Sequence, residues 1–366
     1  MKIAIDASPY AVTEGTGVAT YVRELVKALA RIDAETEYIL CTRISRLPRR
    51  GSFLPPPAQN FSEKIMVEGV HLVFARTIDL FHGTDARAAR LDVPQVITIH
   101  DLFQEESPEY SSSKFKEKKQ EYYDGSASRA RAIIVPSRHV AQVFKERYPS
   151  VEYKIVVIPH GVGEEFTPQD ASSVAAVREK YGLPEKYILF VGSIGKRKNA
   201  LRLVDAFAKI AGDFSDTALV LAGKSSYGGD AVSLAVKTSA HRDRILMPGY
   251  VGAADLPALY SGAAVFALPS FSEGFGIPIL EAFACGVAVL AGNRTSIPEV
   301  AGEAALLVNP FESDEIAEGL RTLLSDNKKR DEFVRLGRER VRGFTWEKSA
   351  IAHLELYREI VAESER

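Results

Sequence analysis

Short apolar runs recur along this chain, bounded by turn residues and separated by stretches of helical periodicity. The first set is Lys2–Asp6, Tyr38–Cys41, Ile78–His82, Gln95–His100, Ala132–Pro136 and Lys154–Pro159. The second is Tyr187–Gly192, Ala218–Gly223, Ala263–Pro269, Val287–Ala291 and Ala304–Val308. Between them, Val18, Tyr21, Val22, Leu25, Val26 and Leu29 share one helical face, and Leu201, Val204, Phe207, Ala208 and Ala211 share another. Near-continuous apolar strands alternating with helices predict an α/β fold whose parallel sheets are covered on both faces.

The strand, Gly-containing turn and helix begin twice, at residue 1 and again at residue 187, with the Pro- and Gly-bearing stretch Pro159–Pro184 between them. A helix is predicted around Ser173–Lys180. The 366 residues suit two domains at roughly 150 residues each. Two Rossmann-like domains facing a central cleft are expected, over residues 1–165 and 166–345, followed by a terminal helix in 346–366. Ligands of such sheets bind beyond the carboxyl ends of the strands.

Composition narrows the partners. Forty-six basic residues face 48 acidic ones, a net charge of -2, so no global cationic field for nucleic acid exists. Cys41 and Cys285 are too few for a disulfide framework or a four-thiolate zinc site, which suits a reducing, cytoplasmic setting. Met1–Asp6 reaches an acid after three apolar residues and is expected to be a strand, not a signal peptide. No apolar run approaches the ~18 residues of a membrane span. The sequence has no Asp-x-Asp pair, zinc-binding helix with paired histidines, Gly-x-Ser-x-Gly elbow or complete Walker loop.

The most informative segment is Pro269-Ser270-Phe271-Ser272-Glu273-Gly274-Phe275-Gly276-Ile277-Pro278-Ile279-Leu280-Glu281-Ala282-Phe283-Ala284-Cys285-Gly286. Its glycines loosen a loop after a strand, Pro278 suits a first helical turn, and Gly286 is a natural stop. The free N–H groups of such a helix start cradle anions or hydroxyls. Glu273 in the loop and Glu281 one turn into the helix would suit two different diols, such as a sugar and a ribose. Alone, the pattern also fits a capped helix with two solvated glutamates. A second constellation, Gly192-Ser193-Ile194-Gly195-Lys196-Arg197-Lys198-Asn199, puts cations at a strand-to-helix turn, where they could neutralise a departing diphosphate. Glu14-Gly15-Thr16-Gly17-Val18 is a partial dinucleotide fingerprint, since Thr20 replaces the third glycine. His100-Asp101 ends a predicted strand.

The long segment resembles the signature of the retaining GT-B glycosyltransferases of family 4, whose two glutamates are separated by seven residues, as Glu273 and Glu281 are. The likeness spans almost the whole chain, and Ile5-Asp6-Ala7, His100-Asp101-Leu102 and Arg197-Lys198-Asn199 look more like mannosyltransferase-type members. It implies that Glu273 and the backbone of Gly274, Phe275, Gly276 and Ile277 address the donor sugar, and that Glu281 holds the ribose. It implies that Arg197 and Lys198 bind the diphosphate, that Gly17 approaches it, and that Val251 lies where backbone groups meet the base. His100 would contact the sugar near its sixth carbon, with Asp101 able to orient the ring. His82-Gly83-Thr84 could line the acceptor side. Ser193 departs from the arginine many members carry there, which leaves Arg197 as the second cation, and Gly163 departs from a common acidic residue. Phe344-Thr345-Trp346-Glu347 resembles the start of a terminal helix crossing back onto the first domain, with Trp346 a buried anchor.

The expected reaction is metal-independent sugar transfer with retention, from a nucleotide-diphosphate sugar to a glycan or lipid-linked acceptor. GDP-mannose is favoured, and UDP-glucose or another UDP-sugar stays open. No cofactor is implied beyond that donor. A nucleotide-sugar epimerase or hydrolase on the same scaffold is the alternative, and a silent binding protein a third. Peripheral contact with the inner membrane surface could come from Phe115, Lys116, Lys118, Lys119, Tyr122 and Tyr123, or from Arg43, Arg46, Arg49 and Arg50 before Phe53-Leu54-Pro55-Pro56-Pro57. Solvated loops fit both stretches as well. Donor binding is expected to close the cleft through a hinge near Pro159–Pro168.

Overall fold

The computed structural model describes residues 1–11, 15–52, 54–67, 77–103, 108–110, 117, 120 and 123–364. The chain divides into two compact units. The first comprises Met1–Leu102, Ser113–Gly161 and Thr345–Arg366; the second comprises Phe103–Ser112 and Val162–Phe344. Four helices matter below: α1 (Gly17–Ile32), α2 (Ala200–Ile210), α3 (Ile277–Ala284) and α4 (Trp346–Ser364).

Among the described residues, the first unit holds seven strands: β1 (Lys2–Asp6), β2 (Glu37–Arg43), β3 (Phe61–Met66), β4 (Leu80–Gly83), β5 (Gln95–Thr98), β6 (Ala132–Val135) and β7 (Ile155–Val157). They pair in parallel in the order β3-β2-β1-β4-β5-β6-β7, with Ile3 opposite Tyr38 on one side and Leu80 on the other. Interior strands are buried on both faces, which is why they read as unbroken apolar runs.

The second unit holds six strands among its described residues: β8 (Lys186–Val191), β9 (Thr217–Ala222), β10 (Ile245–Gly249), β11 (Val265–Leu268), β12 (Val289–Gly292) and β13 (Ala305–Val308). Their order is β10-β9-β8-β11-β12-β13, again parallel. The sheet reverses direction of growth between β8 and β11, so the loops after those two strands emerge side by side. The apolar face of α2 buries Leu203, Val204, Phe207 and Ile210 in the core of this unit. Two strands lie outside the predicted set, β3 and β10. Both are edge strands, and an edge needs less apolar cover: β3 exposes Ser62–Ile65 between buried ends, and β10 contains Pro248.

The first unit is also tied together by a buried polar relay. Thr16 caps α1, its hydroxyl accepting from the Ala19 N–H at 3.2 Å, and α1 packs on α4. His353 Nδ1 lies 2.7 Å from the Ser349 carbonyl, which only accepts, so Nδ1 carries the proton and Nε2 is an acceptor. Tyr21 OH therefore donates to His353 Nε2 at 2.8 Å and accepts from Thr98 at 2.9 Å. Thr98 in turn accepts from His82 Nε2–H at 2.8 Å, and His82 Nδ1 accepts from Tyr357 OH at 2.6 Å. Each proton has one place to go. The circuit starts and ends on α4 and runs through β4, β5 and α1, with every side chain in it fully buried.

Among the described residues, no helix is long and apolar enough to cross a membrane, and no group of three or more His, Cys, Asp or Glu is placed to hold a metal ion.

Candidate active site

The second unit brings the cationic turn and the glutamate loop together. After β8, Gly192 has φ of 142°, and a Cβ there would lie 2.8 Å from Cδ and Cε of Lys198. Glycine thus lets the Lys198 stem fold back across the strand end. The turn is stitched to the loop after β9: Ile194 N–H donates to Lys224 O at 2.7 Å, Ser226 N–H to Ile194 O at 2.9 Å, and Lys196 N–H to Tyr227 O at 2.9 Å. Asn199, at φ of 59°, donates its amide to the carbonyls of Pro269 (3.0 Å) and Pro310 (2.6 Å). Asparagine tolerates this left-handed backbone better than most residues. Phe271 N–H donates to Arg197 O at 3.0 Å, so the loop after β11 is fastened directly to the cations.

That loop carries Glu273. Oε1 accepts from Lys198 Nζ at 2.8 Å and from Ser270 Oγ at 2.8 Å; Oε2 accepts from Arg197 Nη1 at 2.9 Å. Arg197 also donates to Ser272 O at 2.7 Å, and its guanidinium lies 5.0 Å from the centre of the Phe103 ring. Glu273 and Lys198 are both buried, at 7% and 8% exposure. Burial alone would raise the Glu273 pKa, but Arg197 and Lys198 outweigh it and hold the carboxyl at about 2. Burial draws the Lys198 ammonium down, with the Glu273 carboxylate opposing. Three of the roughly four lone-pair sites on the carboxylate are in use, leaving room for one further donor at Oε2 with the cations in place.

Helix α3 starts at Ile277 after Gly276, whose φ of 100° only glycine adopts freely, with Pro278 in the first turn; Gly286 follows its end at φ of 75°. Gly274, Phe275 and Gly276 are buried and Ile277 half-buried. One turn in, Glu281 Oε2 accepts from Tyr260 OH at 2.7 Å. Tyr260 is fully buried, and that burial, reinforced by the Glu281 charge, pushes its hydroxyl pKa far up, so it stays a donor. Tyr260→Phe should leave the buried Glu281 one donor short and cost roughly 1.5–3 kcal/mol. Urea unfolding of the two proteins measures it, and an unchanged midpoint would remove Tyr260 from the site. Val251 is buried in the loop two residues past the end of β10.

The remaining candidates belong to the first unit. Gly17 is exposed at the start of α1, and a Cβ there would meet nothing within 4 Å, so packing does not require glycine. His100 is half-buried; its Nε2–H donates to Thr84 O at 2.8 Å, its Nδ1 lies 3.4 Å from His160 Nε2, and its ring meets Tyr21 edge-on at 4.8 Å. Asp101 gives its carbonyl to Tyr123 OH at 3.0 Å. His82 is not at an acceptor surface: it is fully buried, with both ring nitrogens engaged in the relay, because β4 lies inside the sheet. Tyr123 is likewise buried rather than free to meet a lipid. Trp346 is buried, stacked 5.7 Å from His160. Arg43 pairs with Asp6, and Arg49 is exposed. Glu14, Phe53, Phe115, Lys116, Lys118, Lys119 and Tyr122 lie outside the described residues.

Sequence reasoning grouped Arg197, Lys198 and Glu273 without their fastenings. Ser270 and Asn199 stood inside the quoted motifs without a role. Tyr260 gave no local signal, because the turn of chain that carries it reaches α3 only in three dimensions.

Comparison with known proteins identifies the family and the fold. The model of the glycosyl transferases group 1 matches residues 174–340, and that of glycosyltransferase family 4 matches residues 15–166. The O-antigen chain mannosyltransferase B of Escherichia coli is 27% identical over 369 residues, covering 94% of this chain and 96% of that protein. A D-inositol 3-phosphate glycosyltransferase of Xylanimonas cellulosilytica is 31% identical over 287 residues, covering 74% of this chain and 67% of its own length. The solved structure of Anabaena Alr3699/HepE in complex with UDP and glucose superposes with a TM-score of 0.76 at 17% identity, over 97% of this chain and 98% of that one. The chain is thus a glycosyltransferase of GT-B fold and belongs to the group 1 glycosyl transferases of family 4.

Proposed function

We propose that this hexosyltransferase moves a sugar, with retention of anomeric configuration, from a nucleotide-diphosphate sugar to a glycan or lipid-linked acceptor, and that GDP-mannose is the donor. The observation that carries the reading is the cluster of buried Lys198 and Glu273 with half-buried Arg197, and Glu281 on the adjoining helix. The likeness to an O-antigen chain mannosyltransferase supports mannose and a polysaccharide acceptor. A lipid-linked acceptor would bring the protein to the inner membrane surface.

Breaking the bond between the anomeric carbon and the diphosphate leaves positive charge on the sugar and negative charge on the phosphate. Arg197 and Lys198 stabilise the phosphate charge, the part a metal ion plays elsewhere. Gly17, free of any packing demand for glycine, leaves backbone open for the diphosphate to approach. Glu273 takes a sugar hydroxyl at its remaining lone pair, beside the backbone of Gly274–Ile277, and Glu281 takes the ribose. Val251 sits where the base binds. The role of His100, contact with the sugar near its sixth carbon, rests on the family resemblance; Thr84 and His160 hold its ring for that task. A carboxyl held at about 2 and bonded at both oxygens is a poor base and a poor nucleophile. The leaving phosphate therefore accepts the acceptor's proton on the same face the acceptor enters.

The test is a thermal-shift panel with GDP-mannose, GDP, UDP-glucose and UDP, followed by NMR of the product's anomeric configuration. Stabilisation by the guanine pair and a retained α linkage are expected. Stabilisation by the uracil pair would move the donor to a UDP-sugar; an inverted product, or epimerisation without acceptor, would end the mechanism.

A further inference from the structure

The turn after β12, Asn293–Ser296, presses two hydroxyls onto the backbone of Glu273. Thr295 Oγ1 accepts from the Glu273 N–H at 3.0 Å and donates to Arg294 O at 2.8 Å. Ser296, fully buried, donates its hydroxyl to the Glu273 carbonyl at 2.7 Å. Both backbone groups of the glutamate are thus taken by adjacent residues of another loop. Thr295 stands at φ of 54°, a left-handed conformation that a β-branched residue almost never adopts. Glycine would adopt it freely but brings no hydroxyl. Serine brings the hydroxyl without the branch that stiffens χ1. Threonine at this φ trades backbone comfort for an oxygen fixed in direction, and strain that persists in this way marks a place where the surroundings hold it for a purpose.

We infer that Thr295 and Ser296 are positioning residues that set the rotation of Glu273, so that its carboxylate meets Lys198 and Arg197 on one side and the donor sugar on the other. This rests on the proposed role of Glu273 in binding the sugar. The clamp acts on the sugar, not on the nucleotide, because it touches only Glu273 among the proposed donor-binding groups.

Three variants separate the possibilities. Thr295→Gly releases the strain and deletes the hydroxyl, Thr295→Val keeps the shape and deletes the hydroxyl, and Thr295→Ser keeps the hydroxyl. Calorimetric titration with GDP and with GDP-mannose, and with the UDP pair in parallel, is read beside melting and turnover. For Thr295→Gly we expect melting within about 3 °C of wild type, unchanged affinity for the free nucleotide, and roughly tenfold loss in kcat/KM for the nucleotide sugar, the worth of about one hydrogen bond. Thr295→Ser should restore most of it. Equal loss of nucleotide and nucleotide-sugar binding, loss of activity in step with melting, or full activity in Thr295→Gly would each overturn the inference. Amide hydrogen exchange at Glu273 reads the clamp without any substrate: faster exchange in Thr295→Gly and Thr295→Val is expected, and unchanged exchange overturns it. If wild type neither binds nor turns over any nucleotide sugar, the proposed function fails by itself while the exchange result still decides the clamp.

Discussion

Lys198→Ala is expected to lower turnover by about two to three orders of magnitude, the usual cost of removing one preorganised group aimed at developing charge. The lysine is buried, reaches Glu273 at 2.8 Å, and has its stem laid across Gly192, so its ammonium is placed before any ligand arrives. A group fixed in advance needs no reorganisation in the transition state. Its loss should fall mainly on kcat, because charge on the departing phosphate is greater in the transition state than in the bound donor. Stability should also fall, by roughly 1.5–3 kcal/mol, since Glu273 loses one charged donor and keeps Arg197 and Ser270. Lys198→Arg should recover only part of the rate, because a planar fork does not replace a compact ammonium on a flexible stem. Steady-state kinetics over a range of donor concentrations measures the rate effects, and urea unfolding measures the stability. Wild-type turnover in Lys198→Ala would detach the cation from the chemistry.

The second large effect is on acid stability. Burial, partly offset by the hydrogen bond to Ser349, holds His353 at about 4, against 6.5 for an exposed histidine. His82 and His160 are also held well below that value by burial, with neighbouring histidines adding to it. The sign follows from proton counting. Between 6.5 and about 4 the unfolded chain binds a proton that the folded His353 refuses, so stability falls as pH falls through that window. His353 alone accounts for about 3 kcal/mol. The relay explains the refusal: a proton on His353 Nε2 would face the Tyr21 hydroxyl as donor against donor, and the reversal would pass to Thr98, which already accepts from His82. Glu273 acts in a lower window, its contribution being lost between 4.5 and about 2, so the two effects separate on a pH axis. Urea unfolding at pH 7 and at pH 5 should show a clear drop, and His353→Gln should make it smaller, with His82 and His160 supplying the rest. A midpoint unchanged between those two values would refute the neutral relay.

The sequence was informative where local rules and three-dimensional surroundings coincide. Interior strands such as β1 and β8 are covered on both sides, so they spell themselves out as apolar runs. The start of α3 was legible because glycine, proline and the glutamate spacing are all local. The edge strands β3 and β10 were not, since an edge tolerates the polar Ser62–Lys64 and Pro248. The supports of the site were hidden for a different reason. Ser296 and Thr295 meet Glu273 because β12 is laid next to β11, and Tyr260 meets Glu281 across 21 residues; no spacing rule connects them. A backbone angle such as that of Thr295 leaves no trace in composition. His82 misled in the opposite direction: a histidine before a glycine at a strand end looks like a site, yet β4 sits between β1 and β5, and its side chain belongs to the core.

The relay in the first unit begins and ends on α4, within residues 345–366. A ribosome delivers those residues only after the whole of the second unit has emerged. Until then the Tyr21 hydroxyl lacks His353 as its acceptor and His82 Nδ1 lacks Tyr357 as its donor, and the first half must wait, incompletely packed, for that helix. Birth order and completion order are therefore inverted in this protein: the half that is made first is the half that finishes second.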